Sequence, residues 1–103
     1  MAARQRSVVW TDQAQRMLDA VVGYVAQDSR PAAQRLLIQA LDTAASLDTL
    51  SERGRVVPEF SQPAVRELFV QRYRLIYEVT PVEVQILAFV HGARDLTRLR
   101  LDR

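Results

Sequence analysis

Val65-Arg66-Glu67-Leu68-Phe69-Val70, Tyr73-Arg74-Leu75-Ile76-Tyr77-Glu78-Val79 and Val84-Gln85-Ile86-Leu87-Ala88-Phe89-Val90 are the runs that decide the fold of this 103-residue chain. Only Gln71-Arg72 separates the first two, and Thr80-Pro81-Val82-Glu83 separates the second from the third. Three β-rich runs joined this closely predict an antiparallel meander. In the middle run Tyr73, Leu75, Tyr77 and Val79 share one face, with Arg74, Ile76 and Glu78 on the other. In the last run Val84, Ile86, Ala88 and Val90 alternate with Gln85, Leu87, Phe89 and His91. Both faces of that run are largely apolar, which predicts a central place in the sheet. Arginines and the single histidine stand at strand starts and ends, where side chains reach a partner.

Upstream of the meander, Ser51 to Ala64 is a loop by composition, with Gly54, Pro58 and Pro63 among charges at Glu52, Arg53, Arg55 and Glu59. Val56-Val57 there forms either a brief strand or an apolar tuck under the sheet. Earlier still, the chain is helical. From Asp12 to Asp28 the apolar residues Ala14, Met17, Leu18, Val21, Val22 and Val25 fall on one helical face. Thr11 or Asp12 caps its start, and Gly23 either weakens it by roughly 1 kcal/mol or permits close packing. Asp28-Ser29-Arg30-Pro31 is a break with a restart, proline being at home in a first helical turn. The second helix carries Ala33, Leu36, Leu37, Ala40, Leu41, Ala44 and Leu47 on one stripe, with Ile38 and Ala45 outside it. A connection this short predicts an antiparallel helical hairpin, with more apolar surface than one sheet face needs. Ser7-Val8-Val9-Trp10 is a short β-type run at the front. The tail from Leu96 to Arg103 interleaves leucines with arginines and reads as a frayed helix, an added strand, or a segment ordered by a partner. The order is therefore β-α-α-β-β-β, an α+β fold with an N-terminal helical hairpin packed on a small antiparallel sheet.

Composition narrows the chemistry. One domain over residues 1–103 is expected, burying roughly 60–70% of its unfolded surface. Without cysteine there is no disulfide, thiol catalysis or cysteine zinc site, and one histidine excludes a multi-histidine metal centre. Neither a metal nor a cofactor is expected. All 14 basic residues are arginine, so any mechanism that needs lysine is excluded. A net charge of +2 does not by itself imply nucleic-acid binding. The N-terminus, Met1-Ala2-Ala3-Arg4-Gln5-Arg6, lacks the apolar segment of a signal peptide, and no run reaches transmembrane length, which makes a cytoplasmic protein with no membrane partner the expectation.

Four pieces of the chain resemble the RelE/ParE superfamily of small bacterial toxins: Gly54-Arg55-Val56-Val57-Pro58-Glu59, Arg66-Glu67-Leu68, Tyr73-Arg74-Leu75-Ile76-Tyr77 and His91-Gly92-Ala93-Arg94-Asp95. They occur in the family's order and context, and the likeness runs from Val8 to Leu96. The resemblance implies the toxin of a type II toxin–antitoxin module, with a cognate antitoxin as partner in a toxin–antitoxin hetero-oligomer. The chain resembles the ParE-like branch (plasmid stabilisation proteins) more closely, which implies inhibition of DNA gyrase by protein binding.

The RelE-like branch implies instead a metal-independent endoribonuclease that cuts mRNA on the ribosome. That chemistry needs cations on the pentavalent phosphate, a base for the 2′-hydroxyl and an acid for the leaving oxygen. Arg74 and Arg94 match two of that branch's arginines. Its tyrosine position is Arg100 here, and its paired lysines cannot exist. A second nuclease subgroup uses a loop glutamate and a histidine, for which Glu59 and His91 are the candidates. Glu59, Arg74, His91 and Arg94 are thus the residues of the nuclease reading. For the binding reading the candidates are Arg66, Arg72, Arg74, His91, Arg94, Arg98 and Arg100, with the antitoxin expected along the exposed face of the hairpin between Asp12 and Leu50. A third reading is an inactive family member that serves as a binding scaffold. Plainer roles compete with each of these: Arg74 in an ion pair with Glu67 or Glu78, His91 as a hydrogen-bonded strand end, Asp95 as the cap of a turn.

Overall fold

The computed structural model describes residues 5–102; Met1 to Arg4 of the N-terminal segment and Arg103 of the tail lie outside them. The element order is β1 (Ser7–Trp10), α1 (Asp12–Asp28), α2 (Arg30–Ala45) with a 3₁₀ turn at Ser46–Asp48, β2 (Arg55–Val56), β3 (Val65–Val70), β4 (Tyr73–Val79) and β5 (Glu83–His91).

Two hydroxyls shape the hairpin. Thr11, not Asp12, caps α1: its Oγ1 accepts from the Ala14 N–H at 3.1 Å and donates to the Ile86 carbonyl at 3.0 Å. The helix start is thereby pinned to β5. Ser29 closes one helix and opens the next, its N–H bonding the Val25 carbonyl and its Oγ accepting from Ala32. With one residue between the helices, α2 folds back along α1, and Pro31 sits in the first turn as its missing N–H allows. Gly23 faces open space, with nothing near a would-be Cβ, so it has no packing role.

Ala14 and Leu18 of α1, with Leu36, Ala40, Ala44 and Leu47, form the helical half of the main core. Met17, Val21, Val22, Val25 and Leu37 pack against it half-buried. The stripe expected on α2 is narrower than its apolar content. Ala33, Leu36, Ala40 and Ala44 are its buried residues, and Leu41, about 100° round from Ala40, turns outward with 43% of its surface exposed. Tyr24 and Ile38 are exposed as well.

The sheet order is β1-β5-β4-β3-β2. β3, β4 and β5 form the expected antiparallel meander, and β5 lies inside the sheet between β1 and β4. The sheet is mixed, however, because β1 runs parallel to β5, from Ser7 opposite Glu83 to Trp10 opposite Ile86. The helical hairpin carries the chain from β1 at one edge of the sheet to β2 at the other, so β1 and β5 are joined only through all the elements between them. Strict alternation also fails in β5. Ile76 pairs with Ala88 but Tyr77 pairs with Ile86, so Leu87 is an extra residue in a bulge. Beyond it the faces exchange. Phe89 joins Val84 and Ile86 on the helix side, while Leu87, Ala88 and Val90 line the far face.

That far face holds a second core of Val57, Val65, Ile76, Leu87, Ala88, Val90 and Leu96. Both readings of Val56-Val57 apply: Val56 pairs with Arg66 in β2, and Val57 is buried beneath the sheet. The tail is neither helix nor strand. It crosses the far face as an irregular strap with Leu99 and Leu101 half-buried against the second core. No helix among the described residues is long and apolar enough to cross a membrane.

Candidate functional site

Antiparallel register places Glu67 opposite Ile76 and Phe69 opposite Arg74, all on the far face of the sheet. Arg74 is buried, and every part of its guanidinium is engaged. Nε donates to Glu67 Oε1 at 2.7 Å; Nη1 and Nη2 donate to the two oxygens of Glu59 at 2.9 and 2.8 Å; Nη1 also reaches the Arg94 carbonyl at 3.4 Å. Glu67, with no exposed side-chain surface, accepts a second charge-assisted bond from Arg55 Nε. The partner of Arg74 on the sheet is therefore Glu67. Four charges alternate as Arg55–Glu67–Arg74–Glu59, and no buried side-chain polar atom among the described residues lacks a partner.

Electrostatics follow from this geometry. The two-pronged hydrogen bond from Arg74 lowers the Glu59 carboxyl from 4.5 to about 2, against a smaller opposing push from burial. The bond to Glu59 also raises Arg74 above its ordinary value. Burial pushes the Tyr77 hydroxyl up. That hydroxyl accepts from the Gly54 N–H at 2.9 Å, and a Cβ on Gly54 would lie 2.5 Å from it. Five of the six residues of the Gly54–Glu59 run thus have a task. Gly54 admits the tyrosine, Arg55 holds Glu67, Val56 pairs in β2, Val57 fills the second core and Glu59 grips Arg74.

His91 belongs elsewhere. It pairs with Tyr73, whose ring it meets edge-on at 5.7 Å, and so lies on the helix side of the sheet. Its Nδ1 accepts from the Ala93 N–H at 3.1 Å. Arg74 and Glu59 are on the opposite face. The structure therefore brings Glu59 and Arg74 together, with the Arg94 backbone, and leaves His91 across the sheet. Among the described residues no three metal-binding side chains converge. A shallow cleft of about 220 Å³ is lined by Phe60, Gln62, Leu99 and Leu101, without a titratable group.

This arrangement sits in a chain whose residues 8–96 match the family model described as the ParE toxin of the type II toxin–antitoxin system parDE. The chain belongs to the ParE toxin family. Toxin RelE2 of Caulobacter vibrioides is 38% identical over 88 residues, spanning 84% of this chain and 96% of that one. In fold, the chain is similar to a chain of the chromosomal ParDE system from P. aeruginosa, with a TM-score of 0.69 at 24% identity over 84% of this chain and 96% of the other. It is a type II toxin of the ParE/RelE family, and a cognate antitoxin is the partner that family implies.

On this ParE-family scaffold the remaining candidates separate by exposure. Arg74 is withdrawn from the surface. Arg66 is half-buried, and its Nη1 donates to the Gly54 carbonyl at 2.8 Å, which makes it a brace for the loop. Arg72, His91, Arg94, Arg98 and Arg100 are exposed. Asp95 takes the capping role, its Oδ1 accepting from the Thr97 N–H at 3.0 Å. Two residues escaped the sequence reading. Phe69 is 54% exposed, with the Arg55 guanidinium 5.8 Å from its ring centroid. Period-2 alternation from Glu67 would have placed Phe69 on the charged face; the pairing of Arg55 with Glu67 needs the β2–β3 register, which sequence does not supply.

Proposed function

We propose that this chain is a ParE-like toxin that inhibits DNA gyrase by binding it, rather than by cutting RNA. The observation that carries this reading is the state of Glu59. A general base must release its lone pair to a substrate proton near neutral pH. Glu59 is held by both prongs of Arg74, its carboxyl lowered to about 2, and the histidine that would complete an acid–base pair faces the other side of the sheet. Arg74, the cation such a reaction would need, is buried and fully subscribed. The exposed Arg72, Arg94, Arg98 and Arg100 suit contact with an acidic protein surface instead.

The antitoxin fits the hairpin. Tyr24, Ile38 and Leu41 stand exposed on the two helices, the kind of surface an amphipathic segment covers as it folds. Purified toxin is to be assayed side by side for inhibition of gyrase supercoiling and for cleavage of mRNA in translating ribosomes. Inhibition without cleavage is the expected result. Cleavage without inhibition, lost in Glu59→Gln and His91→Ala by about 10²–10⁴-fold, would reverse the assignment.

A further inference from the structure

The strap that crosses the far face is held at its end by one side chain from the other end of the chain. Gln13 lies in the first turn of α1. Its Nε2 donates to the Arg100 carbonyl at 2.7 Å, and its Oε1 accepts from the Asp102 N–H at 2.8 Å. One amide thus bonds the carbonyl before Leu101 and the N–H after it. That is the pattern by which a residue in a parallel β-pair engages its neighbour. The contact is to backbone only, so it fixes the register of the strap whatever side chains the strap carries.

Register is what the strap's composition needs. Leu96 is buried, and Leu99 and Leu101 are half-buried against the second core, while Arg98 and Arg100 are exposed. From Arg98 to Leu101 outward arginines alternate with inward leucines. Beyond Leu96, the fastenings among the described residues include the bond from the Thr97 N–H to Asp95 Oδ1, a turn bond from the Leu99 N–H to the Leu96 carbonyl, and the partial burial of two leucines. The Gln13 amide is the hydrogen-bonded anchor at the far end.

We infer that the strap is a preordered contact arm and that Gln13 is its positioning residue, holding Arg98 and Arg100 outward toward an acidic surface of the target. The inference rests on the binding reading above. A flexible arginine tail must lose its freedom when it binds; an arm already fixed by Gln13 has lost it beforehand, and affinity rises accordingly.

The test compares the wild-type protein with Gln13→Ala and Gln13→Glu, the second keeping the acceptor and removing the donor. Arg98 and Arg100 are tryptic sites, so limited trypsin digestion followed by mass spectrometry reports the order of the arm directly. Cleavage after Arg98 and Arg100 should quicken 10-fold or more in Gln13→Ala and by less in Gln13→Glu, with the thermal midpoint nearly unmoved. Growth arrest on induction and inhibition of gyrase supercoiling should weaken several-fold, and Arg98→Ala with Arg100→Ala should add little on top of Gln13→Ala. Unchanged cleavage in Gln13→Ala would overturn the latch. Faster cleavage with undiminished growth arrest would overturn the contact arm while leaving the gyrase reading intact. If the wild type arrests growth without touching gyrase, the target assignment falls, and the comparison of growth arrest between wild type and Gln13→Ala still decides the arm. A wild-type protein that arrests nothing would overturn both.

Discussion

Replacing Arg74 by methionine should be among the most damaging single changes in this protein, and the structure says by how much. Methionine keeps most of the apolar stem and deletes the guanidinium that bonds Glu67, Glu59 and the Arg94 carbonyl. Glu67, with 0% of its side chain exposed, is left with Arg55 alone, a partner whose own side chain is 61% exposed. Breaking a buried ion pair by removing one member costs ~3–5 kcal/mol, because the other charge stays behind desolvated. Against a total stability of ~5–15 kcal/mol that is about a fifth at the least and most of the total at the low end. Each kcal/mol moves the thermal midpoint of a domain this size by ~4–8 °C. Urea unfolding followed by Trp10 fluorescence and far-UV circular dichroism would measure the loss. The cycle should be completed with Arg74→Met in a Glu67→Leu, Glu59→Gln background. There the cost of methionine should shrink to ~1 kcal/mol or less, since no buried carboxylate is stranded. A loss below ~1 kcal/mol in the wild-type background, the size of a surface ion pair, would show that the cluster is hydrated and the reasoning mistaken.

Acid should find Glu59 next. Its carboxyl is lowered from 4.5 to about 2 in the folded chain. Its contribution is therefore complete above the unfolded value and lost as pH falls from 4.5 toward 2. With 21% of the side chain open to water, a contribution of roughly 1–2 kcal/mol is expected after allowing for screening. Glu59→Gln should flatten that part of the pH–stability curve; an unaltered acid limb would refute the clamp. On α2, Leu36→Ala should cost ~2–5 kcal/mol and Leu41→Ala under ~1 kcal/mol, a contrast that chemical denaturation resolves. Among glycines, Gly23→Ala should stabilise by ~0.5–1 kcal/mol, whereas Gly54→Ala, which drives a methyl into the Tyr77 hydroxyl, should destabilise by ~1–3 kcal/mol. An unchanged or raised thermal midpoint for Gly54→Ala would contradict the packing at Gly54. Removing the whole tail is a poor test of target binding, because it uncovers the second core around Leu87 and Val90.

Periodicity carried most of the fold. The helix limits at Asp12 and Asp28 and the meander of β3 to β5 were legible, since each depends on residues close in sequence. What was not legible depends on distant partners. The parallel pairing of β1 needs β5, the bulge at Leu87 shows only against β4, and the outward turn of Leu41 follows from the face of α2 that carries Leu36, Ala40 and Ala44 being the one that is buried. The site divides the same way. Glu59 and Arg74 were named from the sequence, but nothing in it revealed that they grip one another, or that His91 faces away. Strand parity alone separates Tyr73 and His91 from Arg74, yet it needs the β4–β5 register to be read. Gln13 gave no signal, because its partners are backbone atoms at the opposite terminus.

The parallel seam between β1 and β5 also sets a timetable. Thr11 bonds Ile86 across 75 residues of chain, and the first strand has no other neighbour in the sheet. Contacts that distant form slowly, since the whole intervening chain must be ordered before they repay its entropy. On a chain made from its N-terminus, β1 and the hairpin emerge before β5 and wait, with their apolar faces uncovered, until it has been synthesised. Assembly of the native sheet is thus deferred until β5 has been made, and a toxin built this way acquires its working shape only when that strand arrives.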